Sequence, residues 1–171
     1  MKLEKTPQES LTILTDLVLP SESNTLNNLF GGELLARMDR AGSITASRHA
    51  QAIVVTASVN HVAFQKSIPL GSTVTVEAQV SRAFTSSMEV IITVWKESPL
   101  ETTREKTNTA IYTFVAVDAD GKPKPVPRLV PQTPQEKEYY QAALRRKELS
   151  LVLAGKMKPS QATALKALFE E

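Results

Sequence analysis

Ser23-Asn24-Thr25-Leu26-Asn27-Asn28-Leu29-Phe30-Gly31-Gly32-Glu33-Leu34-Leu35-Ala36-Arg37-Met38-Asp39 runs from a polar loop into an amphipathic helix. The loop carries three asparagines, the helix opens on a Gly-Gly pair, and one acid, Asp39, follows Met38. Each glycine costs a helix about 1 kcal/mol against alanine. A chain tolerates that where something must come close to the backbone. Amides at a helix start are unpaired and aim at whatever lies there. The segment therefore offers amide donors at Gly31 and Gly32, a carboxamide at Asn24 or Asn28, and a carboxylate at Asp39. Those are the parts needed to hydrolyse an acyl compound. A plainer reading fits the same residues: a Gly-Gly pair for tight packing, Asn28 as a helix cap, and Asp39 solvated beside Arg37 and Arg40.

Outward from this stretch, Gly31, Leu34, Leu35, Met38, Gly42, Thr45 and Ala46 recur at helical spacing, which predicts a helix over 29–49. Residues 11–19, ending at Pro20, read as a first strand. After Gln51 the period changes to two. Strands are expected at 53–60, 73–80, 88–96 and 107–117, with Val74, Val76, Ala78 and Val80 on one face of the second. Pro69-Leu70-Gly71-Ser72 and Asp118-Ala119-Asp120-Gly121 are turn signals, and Thr85-Ser86-Ser87 is a tight connection. Residues 122–134 hold five of the ten prolines, so an extended, irregular segment is expected there, with Val126, Leu129 and Val130 seeking burial. Helices are predicted at 134–154 and 160–170. One segregated helix among a run of strands argues an α+β fold. The expected division is one domain over 1–130 and a helical extension over 131–171.

The totals set the class. A chain of 171 residues, 42% hydrophobic and 22% charged, has the size and make-up of an ordinary globular domain. Twenty basic and eighteen acidic residues leave a net charge of +2, too balanced for nucleic acid as the main partner. There is no cysteine, which excludes disulfides, thiolate nucleophiles and cysteine metal sites. Residues 1–9 contain no apolar run of the signal-peptide kind. No stretch approaches the ~20 apolar residues of a membrane span. A cytoplasmic protein without a membrane partner is expected.

Asn24, the Phe30-Gly31-Gly32 turn and Met38-Asp39 resemble the hotdog-fold acyl-CoA thioesterases, in particular the cytosolic acyl-CoA hydrolase group with its bacterial broad-range members. Further blocks carry the resemblance: Ile53-Val54-Val55-Thr56-Ala57-Ser58-Val59 with Phe64, Phe84-Thr85-Ser86-Ser87-Met88-Glu89-Val90, Tyr112-Thr113-Phe114-Val115-Ala116-Val117-Asp118, and Val126-Pro127-Arg128-Leu129-Val130-Pro131. It spans roughly residues 7–150. It implies a hotdog fold, a long antiparallel sheet around one central helix. It implies hydrolysis of fatty acyl-CoA to free acid and CoA, without a metal or other cofactor. It implies a homodimer as the minimal active unit, assembled as a trimer of dimers. The family's catalytic pair falls on Asn24 and Asp39, with Asn28 the competitor for the first place. Some relatives fuse two hotdog units; this chain holds one.

A thioester carbonyl needs donors for its oxygen, which the amides near Gly31 and Gly32 can supply. The attacking water needs a base, and Asp39 is the acid on the inner part of the helix. Direct attack by Asp39 is the other route. The Asn24 carboxamide, donor and acceptor at once, suits orientation of water or thioester. For the CoA end, candidate contacts are Arg82, Arg104, Lys106, Lys122, Lys124 and Arg128, each equally readable as a solvated surface charge. Thr85, Ser86 and Ser87 lie where similar proteins contact the nucleotide, and Phe64 reads as core or acyl-pocket wall. The chain has no Gly-x-Ser-x-Gly elbow, and His49 and His61 lack metal spacing. His49 suits a helix end, and His61 a strand edge. Arg145-Arg146-Lys147-Glu148 reads as a solvated helix face. Two other functions fit the same fold: a non-catalytic CoA or nucleotide binder, and an enoyl-thioester hydratase relying on a histidine beside an acid.

Overall fold

In the computed structural model, which describes residues 3–60, 62–101 and 103–169, the period-two segments assemble into a five-stranded antiparallel sheet. In chain order the elements are β1 (Glu4–Lys5), β2 (Thr12–Leu17), α1 (Gly31–Ala50), β3 (Ile53–Asn60), β4 (Thr73–Ala83), β5 (Ser87–Glu97), β6 (Arg104–Val117), β7 (Arg128–Leu129), α2 (Pro134–Leu153) and α3 (Thr163–Lys166). The strand order is β2-β4-β5-β6-β3. Register shifts at Val80/Arg82, Val94/Trp95 and Thr56/Ser58 insert extra residues, which bend and twist the strands locally. The concave face closes on α1, which touches all five strands.

Alternate side chains of the three long strands face inward, among them the set Val74, Val76, Ala78 and Val80 that the sequence puts on one face. Val74, Val76, Ala78 and Val80 of β4, Val90, Ile92 and Val94 of β5, and Ala110, Tyr112, Phe114 and Ala116 of β6 are all buried. They meet Leu34, Met38, Ala41 and Ala46 of α1. Thr45 adds a hydrogen bond from its Oγ1 to the Ala78 carbonyl at 3.1 Å. The helix starts two residues later than its apolar spacing suggests. Leu29 stays extended because its N–H donates to the Ile68 carbonyl at 2.8 Å, and Phe30 becomes the cap residue. Asn28 is therefore not the cap, and no side chain caps this helix.

The convex face carries α2. Its start is a capping box, with Glu136 N–H donating to Thr133 Oγ1 at 3.2 Å and Thr133 N–H to Glu136 Oε2 at 3.0 Å. The expected solvated face at 145–148 is corrected. Arg146 makes a two-point contact with buried Glu89, at 2.9 and 2.7 Å. Glu148 is itself buried and accepts from Leu165 N–H. The amphipathic stripe of α2 is thus ionic, which charge patterning alone reads as solvent-facing. The terminal helix is shorter than expected. Pro159–Gln161 forms a single 3-10 turn before α3, since isolated turns need tertiary support to propagate.

The proline-rich segment crosses the sheet as an extended strap. Lys124 N–H donates to the Ala116 carbonyl, Val126 N–H to that of Thr85, and β7 pairs in parallel with β1. Leu129 is buried and Val126 packs on the core. No helix of the described residues is long and apolar enough to cross a membrane.

Candidate active site

The loop before α1 is built around Asn24. Its Oδ1 accepts two backbone N–H groups, from Leu26 at 2.9 Å and Asn28 at 3.2 Å. Only an oxygen can accept both, so the amide is oriented without ambiguity. Its Nδ2 makes no hydrogen bond among the described residues. The turn is completed by Asn24 N–H to the Asn28 carbonyl at 2.8 Å and by Asn27 at φ +54°, a left-handed conformation that asparagine tolerates.

Asn24, Asn28, Gly31 and Phe64 line one open pocket of about 320 Å³ at the start of α1. The free amides of the first turn lie at this end. A Cβ on Gly31 would stand 3.4 Å from the Phe64 ring, so the glycine lets the ring lie close to the backbone. Gly32 is exposed beside Phe30. Phe64 itself is 55% exposed and belongs to this pocket, not to the core.

Asp39 lies elsewhere. Eight residues beyond Gly31, it is about 12 Å farther along the helix at 1.5 Å per residue. Its Oδ1 accepts a 2.7 Å hydrogen bond from Thr56 Oγ1 on β3. It is half-buried, so it is neither a core residue nor the freely solvated acid of the plainer reading. Beneath it, burial first and the Asp39 charge second push the Tyr112 hydroxyl up to about 12. The tyrosine stays protonated and donates to the Leu35 carbonyl at 3.4 Å. Thr56 is the residue that sequence reasoning missed. In a period-two strand nothing separates a threonine serving a carboxylate from one facing water.

The proposed CoA contacts scatter. Arg82 is held under α2: it stacks on Tyr140 and Phe84 and donates to the Tyr140 carbonyl at 3.0 Å. Thr85 and Ser86 offer their carbonyls to the strap and to β6. Ser87 lines a second pocket of about 150 Å³, with Phe84, Asn60, Arg146 and Lys147. There Lys147 sits 3.7 Å above the Phe84 ring, and burial, then the Arg82 charge, hold its ammonium below the usual lysine range. Arg104 pairs with Glu77 and stacks on Trp95. Arg128 is exposed on β7, with Glu4 at 3.6 Å. His49 is buried at the far end of α1 against the Pro127 carbonyl, and His61 lies outside the described residues. Among the described residues no group of three or more His, Cys, Asp or Glu side chains could hold a metal ion.

Comparison with known proteins gives the family. The thioesterase superfamily pattern matches residues 26–103. The uncharacterized acyl-CoA thioester hydrolase YkhA of Bacillus subtilis is 42% identical over 139 residues, 81% of each chain. A solved hexameric acyl-CoA thioesterase superposes with a TM-score of 0.86 at 40% identity, covering 90% of this chain and 98% of that one. An acyl-CoA hydrolase from Staphylococcus aureus, solved with butyryl coenzyme A, coenzyme A and coenzyme A disulfide, gives 0.82 at 35%, covering 96% and 99%. With its central helix wrapped by the curved antiparallel sheet, the chain has the hotdog fold and belongs to the thioesterase superfamily.

Proposed function

We propose that the protein hydrolyses fatty acyl-CoA to the free acid and CoA, with Asp39 as base or nucleophile. The observation that carries this is the half-buried Asp39, fixed by Thr56 on an edge strand and paired with no cation among the described residues. Asn24 takes the complementary part. Its Oδ1 is already occupied by two backbone donors, so the Nδ2 group is what it offers. That favours a donor to the thioester oxygen over an acceptor for water. Gly31 lines the same pocket, and the free first-turn amides of Gly31 and Gly32 add to the donor set. Water adds to the carbonyl carbon, the C–S bond breaks, and the thiolate leaves to be protonated as CoA. The reaction so written needs no added metal or cofactor.

We further infer that each site joins two chains. Within one chain the Asn24 pocket and Asp39 are about 12 Å apart along α1, while reacting atoms must come within about 3–3.5 Å. β3 is an edge of the sheet, with Ile53, Val55 and Val59 exposed. An unpaired apolar edge is a template for another strand. A second copy across β3 would bring its Asn24, Gly31 and Gly32 to this chain's Asp39 and Thr56. The hexameric relative is compatible with such pairs repeated three times.

Release of free thiol from acyl-CoA of graded chain length, without added metal, is the test. Turnover is expected, and Asp39→Ala should lower kcat by about 100- to 10,000-fold. Full activity in that variant removes Asp39 from the chemistry. Binding without thiol release would instead indicate a non-catalytic binder. Hydration of an enoyl thioester would indicate a hydratase, a reading weakened by the distant, buried His49.

A further inference from the structure

Arg37 lies two residues before Asp39. At 3.6 residues per turn the two point to nearly opposite sides of α1, Asp39 toward β3 and Arg37 toward β2. The Arg37 side chain is 6% exposed. Its Nη2 donates to the Leu17 carbonyl at 2.9 Å and to Glu22 Oε2 at 2.8 Å, with Asp16 at 3.7 Å. The same Glu22 oxygen accepts Leu19 N–H at 3.0 Å, and the Glu22 carbonyl accepts Phe30 N–H at 2.8 Å. One ion pair thus joins the end of β2, the start of the loop and the cap residue of α1. Asn24 follows Glu22 by two residues.

This clasp is poorly explained as a stabilising device. Arg37 Nε and Nη1 are buried with no hydrogen-bond partner among the described residues. Unpaired buried polar groups cost roughly 1–3 kcal/mol each. Apolar groups of similar volume often serve as well or better than a buried ion pair. The loop that follows has the opposite problem. Thr25, Leu26 and Asn27 are exposed, and such a segment has little to oppose its conformational entropy. We propose that Arg37 and Glu22 form a positioning pair, which holds the Asn24 loop against α1 so that the Asn24 amide stays beside the Gly31–Gly32 amides. The proposal rests on the reading of Asn24 as donor to the thioester.

The test is a double-mutant cycle on thiol release, with Arg37→Met, Asn24→Ala and the two combined. Arg37→Met should fold with a thermal midpoint near that of the wild type. It should lower kcat by about 10- to 100-fold, the scale of a small misplacement, and leave KM within about 3-fold. In the Asn24→Ala background the same change should alter kcat by less than about 2-fold, because the group it positions is gone. Glu22→Gln keeps the shape and removes the charge at a more accessible position. It should give the same pattern, and it carries the test if Arg37→Met fails to fold. An equal penalty in both backgrounds, or no penalty for Arg37→Met or Glu22→Gln alone, overturns the positioning pair. Full activity in Asn24→Ala overturns the Asn24 reading first, and the pair with it; an inactive Asn24→Ala beside an unimpaired Arg37→Met overturns the pair only.

Discussion

His49 shows how much one side chain can couple. Fully buried in the last turn of α1, it bonds through Nε2 to the Pro127 carbonyl at 2.9 Å, so Nε2 carries the proton. Its Nδ1 is buried without a hydrogen-bond partner among the described residues. Burial, above all, holds the imidazole below its ordinary value of 6.5; the Pro127 bond opposes this, Lys5 adds to it and Glu9 opposes it. The folded state therefore prefers the neutral ring. Well above pH 6.5 both folded and unfolded rings are neutral and contribute no pH dependence. As pH falls through 6.5 the unfolded chain takes up the proton first, and stability declines. Urea midpoints should drop for the wild type between pH 7 and about pH 5, and His49→Gln should flatten that drop. Parallel slopes for the two proteins would show that another group is responsible. The window lies above the titration of Glu22, whose carboxyl the Leu19 N–H and Arg37 hold below its ordinary 4.5.

Gly42 sets the approach of α1 to the sheet. A Cβ there would stand 2.8 Å from two atoms of the Phe114 ring and 3.3 Å from Ile92 Cδ1. Phe114 is fully buried and stacked on Tyr112 with centroids 6.2 Å apart, so it has no room to yield. Gly42→Ala gains about 1 kcal/mol of helix propensity but forces overpacking worth roughly 1–3 kcal/mol. A net loss of stability is expected in denaturant unfolding; a gain would mean the ring gives way freely. Gly42 was legible from sequence, because it falls on the apolar stripe with Met38 and Ala46. So was the shared face of Val74, Val76, Ala78 and Val80 in β4, since burial of one sheet face imposes a period of two. Arg146 and Glu148 were not legible: an ionic stripe against a sheet has the same composition as one against water. Leu29 was misplaced because a backbone bond to Ile68 overrides its fit to the helical period. At the site, Asp39 and the Asn24 turn could be picked out by their neighbours in sequence. The Thr56 partner could not, because it depends on how two distant elements meet.

For the molecule as a whole, the decisive test is whether two chains complete one site. Asn24→Ala and Asp39→Ala should each be nearly inactive alone. Refolded together from denaturant, about half of the dimers formed at random would be mixed, each with one intact and one doubly altered site. Roughly a quarter of wild-type activity should then return. No recovery, with mixed dimers confirmed by mass, would place both residues in one chain's site while leaving the hydrolysis itself untouched. The short parallel ladder between β1 and β7 bears on how such a chain is made. Glu4 pairs with Arg128 and Lys5 with Leu129, so β1 leaves the ribosome long before its neighbour β7. At about 5–20 residues per second, on the order of ten seconds pass before that neighbour is synthesised. During that time α1 and β3 have emerged but β6, the partner of β3, is still incomplete. The nascent chain thus carries an unpaired β1 and a β3 without its sheet neighbour together, and each waits for a strand made later.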